Sequence, residues 1–216
     1  MDRNLRVIFF IFIGFFLSQD SIGQINEPLV EVIKLDSTII IDLKYATIDN
    51  FVGEKLYSVA RCYLRQSVAE RLVRVQQTLR KRGLGLKIWD GYRPLSVQKK
   101  LWQLVPEKDF VANPYRGGSY HNRGAAVDVT LVDLKGNELA MPSAYDDFSY
   151  KARRSYQGAS AEAIKNRKIL TDAMIREGFS AIQSEWWHFN APDPKRYPIL
   201  DIPIYSLDRN RVDRSK

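Results

Sequence analysis

At 216 residues the chain can form one domain with a full core, and 45% hydrophobic with 27% charged side chains excludes both a disordered chain and a polytopic membrane protein. The net charge of +8, from 33 Lys and Arg against 25 Asp and Glu, admits an anionic partner. No run of five basic residues occurs, however, so a solvated surface accounts for the charge and no nucleic acid is expected.

The first element in chain order is an address. Arg3 and Arg6 precede an unbroken apolar run, Val7 to Leu17, which as a helix reaches only about 16 Å and is too short to cross a bilayer core. Ser21 and Gly23 then place small residues before Gln24, the pattern of a cleaved signal peptide over 1–23. The mature chain, 24–216, is expected to be exported, periplasmic or secreted, with no stable membrane insertion after cleavage. At the other end, Arg209, Arg211, Arg214 and Lys216 alternate with Asp208 and Asp213 in a tail expected to fray.

Ser37 to Tyr45, rich in β-branched residues, predicts a strand. The lone cysteine, Cys62, excludes an intrachain disulfide and among apolar neighbours reads as a small buried hydrophobe. A helix follows, with Ser67 and Glu70 as a capping box, Val68, Leu72, Val75 and Leu79 on one face, and Gly83 as its stop. Leu86 to Trp89 predicts a short strand ending in the turn Asp90-Gly91-Tyr92-Arg93-Pro94, and Ser96 caps a second helix from Val97 to Leu104. Ala125 to Leu131 predicts a strand with Ala126, Asp128 and Thr130 on one side, and Lys135-Gly136-Asn137 a hairpin turn after it. A helix from Ala161 to Glu177 stops at Gly178, and Phe179 to Phe189 predicts a last strand. Without regular βαβ alternation the pattern predicts a single α+β domain, helices packed on a mostly antiparallel sheet.

The chain has two histidines, His121 and His188. Asp128, mid-strand among Ala, Val and Leu, needs a compensating partner, because an unpaired buried charge is prohibitively costly. A metal ion or an arginine would serve. His121 lies in the loop leading into that strand, where Gly124 lets the backbone turn back, and His188 can arrive from a neighbouring strand. Two imidazoles, one carboxylate and an open fourth position are the make-up of a catalytic zinc site. Glu185, three residues before His188, should sit just before the strand or in a bulge, within reach of a metal-bound water as a general base. Arg93, held by Pro94, can bind a carbonyl oxygen as it gains charge, or pair with Asp90 or Asp128 as plain structure.

These residues resemble the VanX-type D-alanyl-D-alanine dipeptidases, within the zinc D,D-peptidases. Ser119-x-His121-x-x-Gly124-x-Ala126-x-Asp128 is similar to that family's first metal motif, and Glu185-x-Trp187-His188 to its second. Asp90 to Pro94 resembles the segment carrying its transition-state arginine. Lys44 to Phe51 and Tyr145 to Phe148 are similar to its outer blocks, so the likeness spans Ile41 to Pro192. Met141-Pro142-Ser143 departs from the family's Met-Gly-Thr: Pro142 fixes φ and removes a donor beside the substrate pocket, leaving the metal residues alone. The resemblance implies one zinc ion per chain and a small dipeptide substrate, hydrolysed with Glu185 as base and Arg93 as oxyanion partner. Ser119, Asp146 and Asp147 become candidates for the substrate's charged ends. A D,D-carboxypeptidase acting on longer wall peptides is the alternative within enzymes, and a non-catalytic wall-binding module the alternative outside them.

Overall fold

The computed structural model describes residues 23–105 and 111–207, so all but the last residue of the signal peptide expected over 1–23, and the basic tail from 208, lie outside the described residues. In chain order the strands and helices are β1 (Leu29–Glu31), β2 (Ile40–Ile41), β3 (Tyr63–Arg65), α1 (Gln66–Arg80), β4 (Leu84–Asp90), α2 (Leu95–Leu104), β5 (Ala126–Asp133), α3 (Ala161–Arg176), β6 (Ser180–Ala181) and β7 (His188–Asn190). Five strands form one sheet in the order β2-β4-β5-β7-β6, and β1 pairs with β3 separately. Among the described residues only the edge pair β2–β4 is parallel. This is the expected α+β architecture. α1 packs on β4 and α3 on β5, burying Val68, Leu72, Val75 and Leu79 of the first and Leu170 and Met174 of the second. Cys62 is buried, as its neighbours imply. Among the described residues no helix is long and apolar enough to cross a membrane.

Several local expectations change, each for a physical reason. Both predicted side-chain caps are replaced by carboxylates from far along the chain. The Ser67 backbone N–H donates to Glu27 Oε2 at 2.9 Å, while the Ser67 hydroxyl meets the Tyr197 hydroxyl and Glu70 accepts from Gln66. Similarly, the Ser96 N–H donates to Asp201 Oδ1 at 2.8 Å, and α2 begins at Leu95 directly after Pro94. These distant acids satisfy free N–H groups at the helix starts. The strand expected over 37–45 shrinks to Ile40–Ile41, because Asp36 Oδ1 holds Thr38 in a turn and residues Lys44–Ala46 coil into a 3-10 turn that buries Tyr45. The segment 179–189 folds back as two short strands that pair with each other, Ser180 opposite Asn190, leaving Glu185 in the connecting loop. At the hairpin after β5, Asp133 accepts from the backbones of Lys135 and Asn137, and Gly136 takes the left-handed conformation, φ 89°.

Two registers place the chemistry. Asp128 on β5 stands directly opposite His188 on β7. On the other side of β5, a shift between Ile88 and Asp90 sets Asp90 opposite Asp128. Such bulges commonly re-aim side chains beside active sites.

Candidate metal centre and cleft

His121 comes from a 3-10 turn, Tyr120–Arg123, whose start is a reciprocal cap: Ser119 Oγ accepts from the His121 N–H, and Asn122 Oδ1 accepts from the Ser119 N–H. Gly124 ends the turn at φ 65°, where a side chain would be strained and its Cβ would meet Leu29 at 2.6 Å. The loop therefore folds back onto β5, as the sequence suggests.

Three atoms converge there. Asp128 Oδ1 is 2.9 Å from His188 Nδ1 and 3.3 Å from His121 Nε2, and the two ring nitrogens are 3.1 Å apart. All three residues are buried, at 3%, 8% and 2% exposure for Asp128, His188 and His121. The outward-facing nitrogens are already engaged. His121 Nδ1 lies 2.8 Å from the Gly91 carbonyl, and His188 Nε2 lies 2.7 Å from Asn190 Oδ1. An oxygen acceptor fixes the proton on each outer nitrogen, so the inner nitrogens present lone pairs. Gly91 is itself constrained, since a Cβ there would meet Cys62 Sγ at 2.6 Å. Two imidazole lone pairs facing each other beside a carboxylate repel unless a cation lies between them. A divalent ion with N/O preference fits this donor set. Among the described residues it is the one cluster of three such groups able to hold a metal. Burial would raise the Asp128 carboxyl, but the facing histidines hold it well below the usual carboxylate range. Burial likewise depresses His188, but its hydrogen bond and charge contact with Asp128 outweigh this and raise it.

Glu185, before β7, keeps 29% of its side chain exposed and sits with Oε2 3.9 Å from His188 Nδ1, near the metal point without joining the ligand set. Burial pushes its carboxyl above the ordinary value, toward the range useful to a base near neutral pH. Arg93 is buried and takes the Asp90 option: Nε and Nη2 donate to Asp90 Oδ2 at 3.0 and 2.6 Å, and Nη1 donates to Gln98. Its guanidinium also lies 5.0 Å from the Tyr45 ring centre.

Arg93, Ser119, His121, Asp128, Asp146, Glu185 and His188 all line one cleft of about 240 Å³. That is below the ~300–1,000 Å³ of sites for drug-sized ligands and suits a small substrate. Asp146, in the left-handed conformation at φ 53°, accepts from the Tyr45 hydroxyl at 3.0 Å, and burial pushes its carboxyl well up. Asp147 does not line this cleft. It caps a turn by accepting from the Ser149 N–H and faces neighbouring cavities. Pro142 is buried, and its neighbours Met141 and Ser143 line a second cavity of about 640 Å³ that shares Phe51 and Asp146 with the cleft. The departure at Pro142 therefore bears on that cavity and leaves the metal residues alone.

Sequence reasoning missed Asn190 and the contact that Tyr145 makes with Asp128. Asn190 had a signal, since it lies two residues from His188 and so on the same strand face. Tyr145, whose hydroxyl donates to Asp128 Oδ2 at 3.0 Å, reaches its partner through tertiary folding alone.

The profile of the D-ala-D-ala dipeptidase family of peptidases matches residues 26–206. The D-alanyl-D-alanine dipeptidase of Escherichia coli is 37% identical over 172 residues, 80% of this chain and 89% of that protein. The proteins of the same name from Enterococcus faecium and Streptomyces coelicolor are 32% and 33% identical, each over 76% of this chain and 91% of their own length.

Proposed function

Because the chain belongs to the D-ala-D-ala dipeptidase family of metallopeptidases, we propose that it hydrolyses free D-Ala-D-Ala to D-alanine with a zinc ion held by His121, Asp128 and His188. The observation that carries the metal reading is the convergence of two imidazole nitrogens and one carboxylate oxygen within 3.3 Å, each imidazole backed by an outer acceptor.

When bound there, zinc supplies an acidified water and a Lewis acid for the scissile carbonyl. The chain's own residues do the rest. Glu185, with its raised carboxyl, takes a proton from the attacking water and returns it to the leaving amine. Arg93, rigid in its bonds to Asp90 and Gln98, faces the carbonyl oxygen as charge develops there. Asp146 is a half-buried carboxyl that accepts from the Tyr45 hydroxyl, and the free ammonium of a dipeptide would pair with it. Ser119 lines the same cleft. The basic start and short apolar run of residues 1–23 support export to the periplasm or beyond, where wall-derived dipeptide is met. The adjoining cavity of about 640 Å³ favours a second reading, a D,D-carboxypeptidase that houses a longer peptide beyond Asp146. A non-catalytic module is disfavoured, since metal ligands, base and arginine are all present in one cleft.

Metal analysis tests the zinc assignment. Purified protein should carry one zinc per chain and His121→Ala should lose it; full occupancy in that variant would contradict the site. Removing the metal should also reshape the pH profile of stability. The folded state depresses Asp128, which stabilises above its unfolded value of about 3.9, and raises His188, which stabilises below about 6.5 and is lost as pH rises through the folded value. Chelator-treated protein should therefore melt highest in the mildly acidic window between those values. Zinc, which needs neutral imidazoles, should restore stability at higher pH.

A further inference from the structure

Asp128 has two carboxylate oxygens, and the structure treats them differently. Oδ1 faces His188 Nδ1 at 2.9 Å and His121 Nε2 at 3.3 Å. Oδ2 accepts from the Tyr145 hydroxyl at 3.0 Å. The Tyr145 ring is fixed among other rings, 5.0 Å from Trp89 and 5.5 Å from Trp187 between centres, so the hydroxyl has little freedom to leave. The next residue, Asp146, accepts from the Tyr45 hydroxyl on the cleft wall. Resting on the metal reading above, we infer that Tyr145 is a positioning residue that occupies Asp128 Oδ2 and so offers Oδ1 alone to the metal.

The consequence is chemical. A carboxylate free at both oxygens can rotate or bind through both, taking a position that a catalytic metal must keep open for water and substrate. Outer hydrogen bonds to metal ligands also set affinity, and their loss typically costs about 10–100-fold. Because Tyr145 and Asp146 are adjacent, the same short segment fixes the metal carboxylate and the carboxylate facing the substrate's amino end.

The test is Tyr145→Phe, which removes one oxygen and keeps the ring, with Tyr45→Phe as its partner from the same aromatic cluster. Zinc affinity is measured by competition with a chromophoric chelator, and the cobalt-substituted proteins are compared by visible absorption, which reports coordination. Tyr145→Phe should bind zinc roughly 10–100-fold more weakly and show an altered cobalt spectrum. Tyr45→Phe, whose hydroxyl touches no metal ligand, should match wild type in both. Unchanged affinity and spectrum in Tyr145→Phe would overturn the inference while leaving the zinc reading intact. Equal losses in both variants would assign the effect to the shared hydroxyl cluster of Tyr45 and Tyr145 rather than to the contact with Asp128, and overturn it too. A wild-type protein that binds no zinc would overturn both readings.

Discussion

Glu185→Gln should keep the fold and the bound metal while lowering kcat on the order of 10²–10⁴-fold, the usual cost of removing a general base. The two side chains are nearly isosteric, and Glu185 stands 3.9 Å from His188 Nδ1, outside the ligand set. Its carboxyl is raised by burial, so its proton affinity lies closer to that of an attacking water at neutral pH. Glutamine supplies neither the base nor the acid that the leaving amine requires. Substrate affinity should change little, which separates this role from binding. Near-wild-type kcat would remove Glu185 from the mechanism. Loss of zinc in the variant would instead make it part of the metal's support.

For Arg93 the expected loss is about 10²–10³-fold in kcat, by analogy with a deleted oxyanion donor. The structure adds a complication that sequence alone left open. Arg93 also balances Asp90, a carboxylate with no exposed surface that otherwise accepts from Tyr57 and from the Gly91 N–H. Arg93→Ala leaves that charge buried without its cation, so the variant should also melt earlier. Arg93→Lys separates the two roles. It keeps a positive charge for Asp90 but loses the planar fork that holds Asp90 and Gln98 together. Stability should largely return with lysine while kcat stays low. A rise confined to KM in either variant would show that Arg93 binds ground-state substrate.

The centre of the site could be read from residue types and spacing because its geometry is local or paired. His121, Gly124 and Asp128 are close in sequence, and a loop turning back at a glycine has few options. His188 follows from sheet pairing, and the register that sets it opposite Asp128 bears this out. The α+β class followed from the mixture of periodicities. What stayed hidden depends on contacts between distant segments. Glu27 and Asp201 cap helices 40 and 105 residues away along the chain, so nothing near Ser67 or Ser96 announces them. The hairpin of β6 and β7 was read as one strand because both halves carry aromatic and β-prone residues. Its turn holds Gln183 and Ser184 rather than a Gly or Asn signal. Asp146 and Asp147 look equivalent in sequence, yet the left-handed backbone at Asp146 turns one into the cleft and leaves the other capping a turn.

Length discrimination is the sharpest test of the dipeptidase reading. A free dipeptide brings an ammonium to the Asp146 carboxyl on the cleft wall. Acylating that amine removes the charge and adds bulk, and Asp146, whose carboxyl is pushed well up, loses the cation that would ionise it. Each 1.4 kcal/mol is tenfold, so a penalty of a few kcal/mol gives discrimination of about 10² or more. The decisive measurement is kcat/KM of the zinc-loaded protein for D-Ala-D-Ala, its N-acetyl form and a tripeptide ending in D-Ala-D-Ala. The account predicts a preference of roughly 10² or more for the free dipeptide. Equal or better values for the longer substrates would contradict it and assign the chain to carboxypeptidase chemistry.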